Sequence, residues 1–123
     1  MNKFLLIFFP LFLFAEVIFP YTFSLKKDEI IEFKIYYKNF TFPLKFRWTL
    51  FKNDVLVVIC HYNNFPRHIE LFKDNLNTFK VNIMDYLEFY PYFLIKFEDF
   101  NDKIATFKMY LFRGKNIKVK RIR

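Results

Sequence analysis

The sequence predicts an all-β fold, an antiparallel β-sandwich of about eight strands, and three features lead there. Apolar residues recur at every second position over most of the chain, the spacing that sends successive side chains of a strand to opposite faces. Short clusters rich in Asn and Asp interrupt that alternation at hairpin-like intervals. Apolar stripes with helical spacing are confined to residues 82–90.

Residues 1–15 are a different kind of segment. Met1, Asn2 and Lys3 precede an unbroken apolar run over 4–14, which ends at Ala15 before Glu16. A basic start, an apolar stretch and a small residue before a polar one form the signal-peptide pattern, and the run is too short to span a bilayer. The expected division is a signal peptide at 1–15 and a single domain at 16–123, about the size of an immunoglobulin domain. The alternative is an uncleaved inner-membrane anchor over 4–21, because Val17, Ile18 and Phe19 prolong the apolar stretch.

Within the domain, 29–37 places Ile31, Phe33, Ile35 and Tyr37 on one face, with Glu32 and Lys34 on the other. Residues 45–52 repeat the pattern, setting Phe46, Trp48 and Leu50 against Lys45, Arg47 and Thr49. Residues 55–62 are apolar on both faces, as expected of a central strand covered on both sides. Strands at 67–72, 78–83, 92–100, 104–112 and 117–122 complete the eight. Lys52-Asn53-Asp54, Asn63-Asn64, Lys73-Asp74-Asn75, Asn101-Asp102-Lys103 and Arg113-Gly114-Lys115-Asn116 read as the turns between them. Over 82–90, Ile83, Tyr86, Leu87 and Tyr90 form one stripe that Pro91 stops, so a helix of a turn or two is expected there. Pro20, Pro43, Pro66 and Pro91 are expected between strands, where a missing N–H does least harm.

The composition is 54% hydrophobic and 24% aromatic, which excludes a disordered chain. Phe, Tyr, Lys, Asn and Ile, whose codons are richest in A and T, make up more than half of the residues, so codon usage accounts for part of the aromatic and basic excess. The net charge of +8 favours anionic partners. Cys60 is the one cysteine, which excludes an internal disulfide, and its setting in a buried-strand sequence predicts an inert, buried thiol.

Few residues are candidates for chemistry. The basic residues of the C-terminal stretch, Arg113, Lys115, Lys118, Lys120, Arg121 and Arg123, have no acid among them and form the candidate site for an anion or partner. His61 and His68 are the only histidines. If Asn63-Asn64 closes a two-residue hairpin, Ile59 lies opposite His68, which sets both histidines diagonally on one face with Glu70 two residues on. Two histidines and a carboxylate are a weak metal candidate, since no rigid ligand spacing supports them. Glu98, Asp99 and Asp102 are the one acidic cluster, and Ser24, the only serine, has no glycine-flanked elbow. Cys60 and His61 are neighbours on a strand and so face opposite sides, which argues against a catalytic pair. Tyr36, Phe51, Tyr62, Tyr90 and Tyr92 fall on polar faces or near turns, and a contiguous patch of them would mark a surface for protein or sugar.

The reading that follows is an exported, periplasmic or secreted, non-enzymatic binding module of the cell envelope. Its expected partner is an envelope protein or an anionic surface, lipid headgroup or cell-wall polymer, with no nucleic acid, no cofactor and no identified small-molecule substrate. The alternatives are a membrane-anchored accessory subunit that keeps residues 4–21, and a small hydrolase or metal-dependent enzyme using His61, His68 or the acidic cluster.

Overall fold

A computed structural model describes residues 16–84 and 90–123, and every regular element among them is a strand. In chain order these are β1 (Tyr21–Lys26), β2 (Ile31–Tyr37), β3 (Phe40–Lys52), β4 (Val55–Tyr62), β5 (Phe65–Phe72), β6 (Thr78–Asn82), β7 (Tyr92–Asn101), β8 (Ile104–Phe112) and β9 (Ile117–Arg121). They form two antiparallel sheets, a four-stranded one in the order β1-β8-β7-β6 and a five-stranded one in the order β5-β4-β3-β2-β9. The β-sandwich expected from the alternation is therefore the fold, with β1 as a strand beyond the expected eight. Its signal, Phe23 and Leu25 inward against Thr22, Ser24 and Lys26 outward, directly follows the apolar run of the N-terminus.

Hairpins build most of each sheet. Asn53-Asp54, Asn63-Asn64 and Asp102-Lys103 each join two strands, and both residues of each pair have positive φ. That is the type I′ turn, whose twist matches the twist of the strands it joins. Glycine is its usual second residue, but none of the positive-φ positions in this chain is glycine.

The core is aromatic and lies between the sheets. Phe46 of β3 meets Phe107 of β8 edge to face at 4.7 Å and stacks on Phe79 of β6 at 5.8 Å, while Phe23 of β1 stacks on Phe107 at 5.4 Å. Edge-to-face and offset contacts of this kind are favoured by the ring quadrupole. No polar or charged residue is buried among the described residues. The indole of Trp48 satisfies its one donor on the Leu25 carbonyl of the opposite sheet at 2.8 Å.

Two β-bulges change which residues face the core. Trp48 pairs with Val58 but Leu50 pairs with Val57, so Thr49 is an extra residue in β3. Leu50, expected inward beside Trp48, consequently points outward and is 48% exposed, while Phe51 turns in. A second bulge skips Glu98 in β7 and turns Phe100 in, leaving Asp99 opposite Thr106.

Two further expectations are corrected. Residues 55–62 are central in their sheet but covered on one side only. Leu56, Val58 and Cys60 are buried, whereas Val55, Val57 and Ile59 are half-buried on the outer face. Their branched side chains pack across strands on that face, which satisfies β-propensity without a second layer. Pro43 and Pro66 lie inside β3 and β5 rather than between strands. The Pro43 carbonyl accepts from the Asn63 N–H at 2.9 Å, so its missing donor falls on the same side, where the β3–β4 ladder gives way to the turn. Pro66 is on an edge strand, where a donor is dispensable. The expected signal segment at 1–15 and residues 85–89 of the expected helix lie outside the described residues; Asn82 ends β6, and the Ile83 N–H donates to the Pro91 carbonyl at 3.1 Å.

Glu16 pairs with Lys120 of β9, and the Val17 N–H donates to the Val119 carbonyl at 2.7 Å. Val17 is buried and Phe19 packs on Phe93 at 5.8 Å, so residues 16–19 lie against the sandwich before the chain enters β1.

Candidate functional site

The strand alternation divides the six basic residues of the C-terminal stretch. Ile117 and Val119 face inward on β9, and so does Arg121, whose Nη1 donates to the Tyr21 hydroxyl at 2.8 Å and whose Nε donates to the Arg123 carbonyl at 3.2 Å. Arg121 thus fastens the open side where β9 of one sheet faces β1 of the other. Arg67 does the same on the opposite side, its Nη1 donating to the Lys80 carbonyl of β6 at 2.8 Å. Arg113 and Lys115 belong to the connection between β8 and β9, and the Arg123 backbone pairs with Glu32.

Lys118 and Lys120 remain on the outer face of the five-stranded sheet, where the register adds a residue the C-terminal stretch could not reveal. Lys34 of β2 is the direct cross-strand partner of Lys120, and Tyr36 is the partner of Lys118. The Lys120 ammonium also lies 5.6 Å from the Tyr36 ring centroid. Among the described residues none of these three lysines has a carboxylate within ion-pair distance. Farther across the face, Lys45 pairs with Glu32 at 3.5 Å and Arg47 with Asp28 at 3.8 Å. These two basic residues line a groove of about 350 Å³ together with Ile30, Ile59, His61 and Asn64. The face is basic at the β9–β2 edge, apolar along β4, and has no strand over it among the described residues.

The histidines sit where the hairpin argument puts them. Ile59 pairs with His68 and His61 with Pro66, so both imidazoles and Glu70 share the outer face. No three metal-ligating side chains converge there or elsewhere among the described residues. Cys60 is on the other side of β4, 1% exposed, and burial pushes its thiol up to about 12 against a smaller opposing effect of Arg67. It is the buried, inert thiol that its sequence setting predicts. In the acidic cluster, Glu98 pairs with Lys96 and Asp99 with Lys73, each at 3.9 Å, and Asp102 occupies the β7–β8 turn.

The exposed aromatics separate into unrelated places. Phe51 packs on the core, and Tyr62 donates its hydroxyl inward to the Ile83 carbonyl, with burial raising its phenol pKa. Tyr36 belongs to the lysine row. Tyr92 lies on the outer face of the four-stranded sheet, directly opposite Phe112, with ring centroids 5.1 Å apart and planes 19° from parallel. Tyr110 continues that patch at 6.3 Å from Phe112. The alternation of 104–112 puts Tyr110 and Phe112 opposite the core residues Phe107 and Met109, so their outward direction was readable; their meeting with Tyr92 needed the register.

No family model, curated protein or solved structure matches the chain, so this geometry and the sequence carry the functional reading.

Proposed function

We propose that this chain is an exported, non-enzymatic binding module of the cell envelope that engages an anionic surface through the outer face of its five-stranded sheet. The observation that carries the binding half is the lysine row. Lys34 stands directly opposite Lys120 with Lys118 beside them; Glu16 is the neighbour of Lys120 on its other side, but among the described residues no carboxylate lies within ion-pair distance of any of the three. Like charges directly opposite one another on a sheet destabilise it, and a phosphate- or carboxylate-rich surface relieves that repulsion while gaining attraction from each ammonium. Lysines on an edge strand also guard against edge-to-edge pairing, but Lys34 is on β2, inside the edge, where that role does not apply.

The export half is supported by the composition of residues 1–15. Glu16, the residue after Ala15, is already paired with β9, so a cut at that point keeps every described strand of the sandwich. Fractionation of the native host, with N-terminal sequencing and intact mass, tests it. A soluble envelope species starting at Glu16 is the expected result. Full-length protein in the membrane fraction replaces this reading with the anchored form, and full-length protein in the cytosol contradicts export. The binding half is tested by sedimentation with anionic vesicles and isolated cell-wall material.

A further inference from the structure

The outer face of the four-stranded sheet carries a second surface, on the opposite side of the molecule from the lysine row. We propose that it is a platform for an acidic polysaccharide, a polymer of pyranose rings bearing carboxylates. This goes beyond the proposed function, and rests on it only for the place where such a polymer is met.

The platform is laid out by strand register. Tyr92 is opposite Phe112, and one step along the ladder Leu94 is opposite Tyr110. Neighbouring ring planes lie within 28° of parallel, at centroid separations of 5.1 Å and 6.3 Å. Tyr92, Leu94 and Tyr110 are half-buried and Phe112 is 40% exposed, so an apolar strip is open on a face that solvent would normally claim with polar side chains. Two ammonium groups flank it. Lys80 Nζ sits 4.2 Å from the Tyr92 ring centroid and Lys108 Nζ 5.6 Å from that of Tyr110.

Three properties select the occupant. The ring faces offer apolar contact suited to the C–H face of a sugar ring. Neither the Tyr92 nor the Tyr110 hydroxyl has a hydrogen-bond partner among the described residues, so both phenols can exchange hydrogen bonds with a hydroxyl-rich ligand; an apolar protein surface would have to strip them of water. The flanking lysines supply charge complementarity for carboxylates spaced along the polymer. A second copy of the chain is disfavoured by the same lysines, because a two-fold contact sets a surface patch against itself and brings Lys80 and Lys108 toward their own counterparts.

The test is affinity electrophoresis and calorimetry of the protein recovered from expression of the full chain, with polygalacturonate as probe and dextran as the neutral control. Polygalacturonate is expected to retard the protein and dextran to have little effect. Tyr110→Ala and the pair Lys80→Gln/Lys108→Gln are each expected to weaken binding about tenfold. Both changes lie on an outer face, and unchanged circular dichroism with a thermal melt verifies that they fold; Tyr110→Phe, which keeps the ring, is expected to retain most of the affinity. Because the lysine row also attracts carboxylates, Lys118→Glu/Lys120→Glu on the opposite face is expected to lower polygalacturonate binding less than Tyr110→Ala does; wild type that binds polygalacturonate but no anionic vesicle would fault the proposed function and not this platform. Absence of retardation, equal retardation by dextran, or binding that survives Tyr110→Ala but falls with Lys118→Glu/Lys120→Glu would each overturn the proposal. So would self-association, seen by sedimentation, that Tyr110→Ala abolishes.

Discussion

Phe51 and Phe100 stack across the sandwich with ring centroids 4.0 Å apart and planes 21° from parallel, and each faces inward because a β-bulge two residues before it reverses its strand. Trp48 and Phe100 meet in a T-shaped contact at 5.3 Å. Were Thr49 and Glu98 to take ordinary places in the ladder instead of bulging, unbroken alternation would turn Leu50 and Asp99 inward, and a carboxylate would be buried.

The pair should therefore behave as a coupled unit. Phe51→Ala and Phe100→Ala are each expected to cost about 2–4 kcal/mol, with a coupling of about 1 kcal/mol in the double-mutant cycle. Urea unfolding of the four proteins measures it. Strict additivity would show that the contact contributes nothing beyond separate burial.

The turn at Asp102-Lys103 offers a stabilising change. Lys103 has positive φ at the position where a type I′ turn favours glycine, a conformation that costs an L-residue about 1–2 kcal/mol, partly offset by the greater chain entropy that glycine loses on folding. Lys103→Gly is expected to raise stability by about 0.5–1 kcal/mol, read as an increase in the urea midpoint at unchanged slope.

Arg121 and its neighbours should separate stability from binding. Arg121→Ala removes the hydrogen bond to Tyr21 that joins β9 to β1, and should cost about 1–2 kcal/mol while leaving attachment to anionic surfaces nearly intact. Lys118→Glu/Lys120→Glu should do the reverse. Lys120→Glu removes the repulsion with Lys34 but sets a carboxylate opposite Glu16, so stability should stay within a few tenths of a kcal/mol of wild type, and surface attachment should fall. Thermal melts and vesicle sedimentation on both variants check this crossed pattern.

Cys60 makes stability depend on pH at the alkaline end. Burial raises its folded-state pKa from 9.0 to about 12, so the thiol stays protonated in the fold while the unfolded chain ionises. The stability held by that difference is complete below pH 9 and is lost as the pH rises toward 12. Cys60→Ala lacks this titration. The gap in melting temperature between wild type and Cys60→Ala should therefore narrow as the pH is raised from about 8 to about 10.5. A constant gap would contradict the burial account.

Much of the fold is legible in the sequence because its physics is local. Alternation at Ile31, Phe33 and Ile35 names a strand and its inward face, and Asn63-Asn64 sets the register that places Ile59 opposite His68. Bulges are not local in this sense: Thr49 and Glu98 look like ordinary outward residues, and only the partner strand shows that one of them is extra. Arg121 shows how charge can mislead. The alternation of Ile117 and Val119 already put position 121 on the inner face, and the guanidinium is tolerated there because the Tyr21 hydroxyl receives it. Lys34 joins Lys118 and Lys120 only through the pairing of β2 with β9, strands far apart in the chain, so the lysine row needed the register.

The most direct test of the lysine row is sedimentation of the protein, recovered from expression of the full chain, with phosphatidylglycerol vesicles, phosphatidylcholine vesicles and isolated cell-wall sacculi. The variant Lys34→Gln/Lys118→Gln/Lys120→Gln, which removes the charges without setting carboxylates against one another or against Glu16, is compared with wild type at low and high salt. Wild type is expected to sediment with phosphatidylglycerol or with sacculi and not with phosphatidylcholine, salt to release it, and the variant to stay in the supernatant while melting normally. Equal sedimentation of a well-folded variant and wild type, or no sedimentation of wild type with either anionic material, would contradict the proposed attachment.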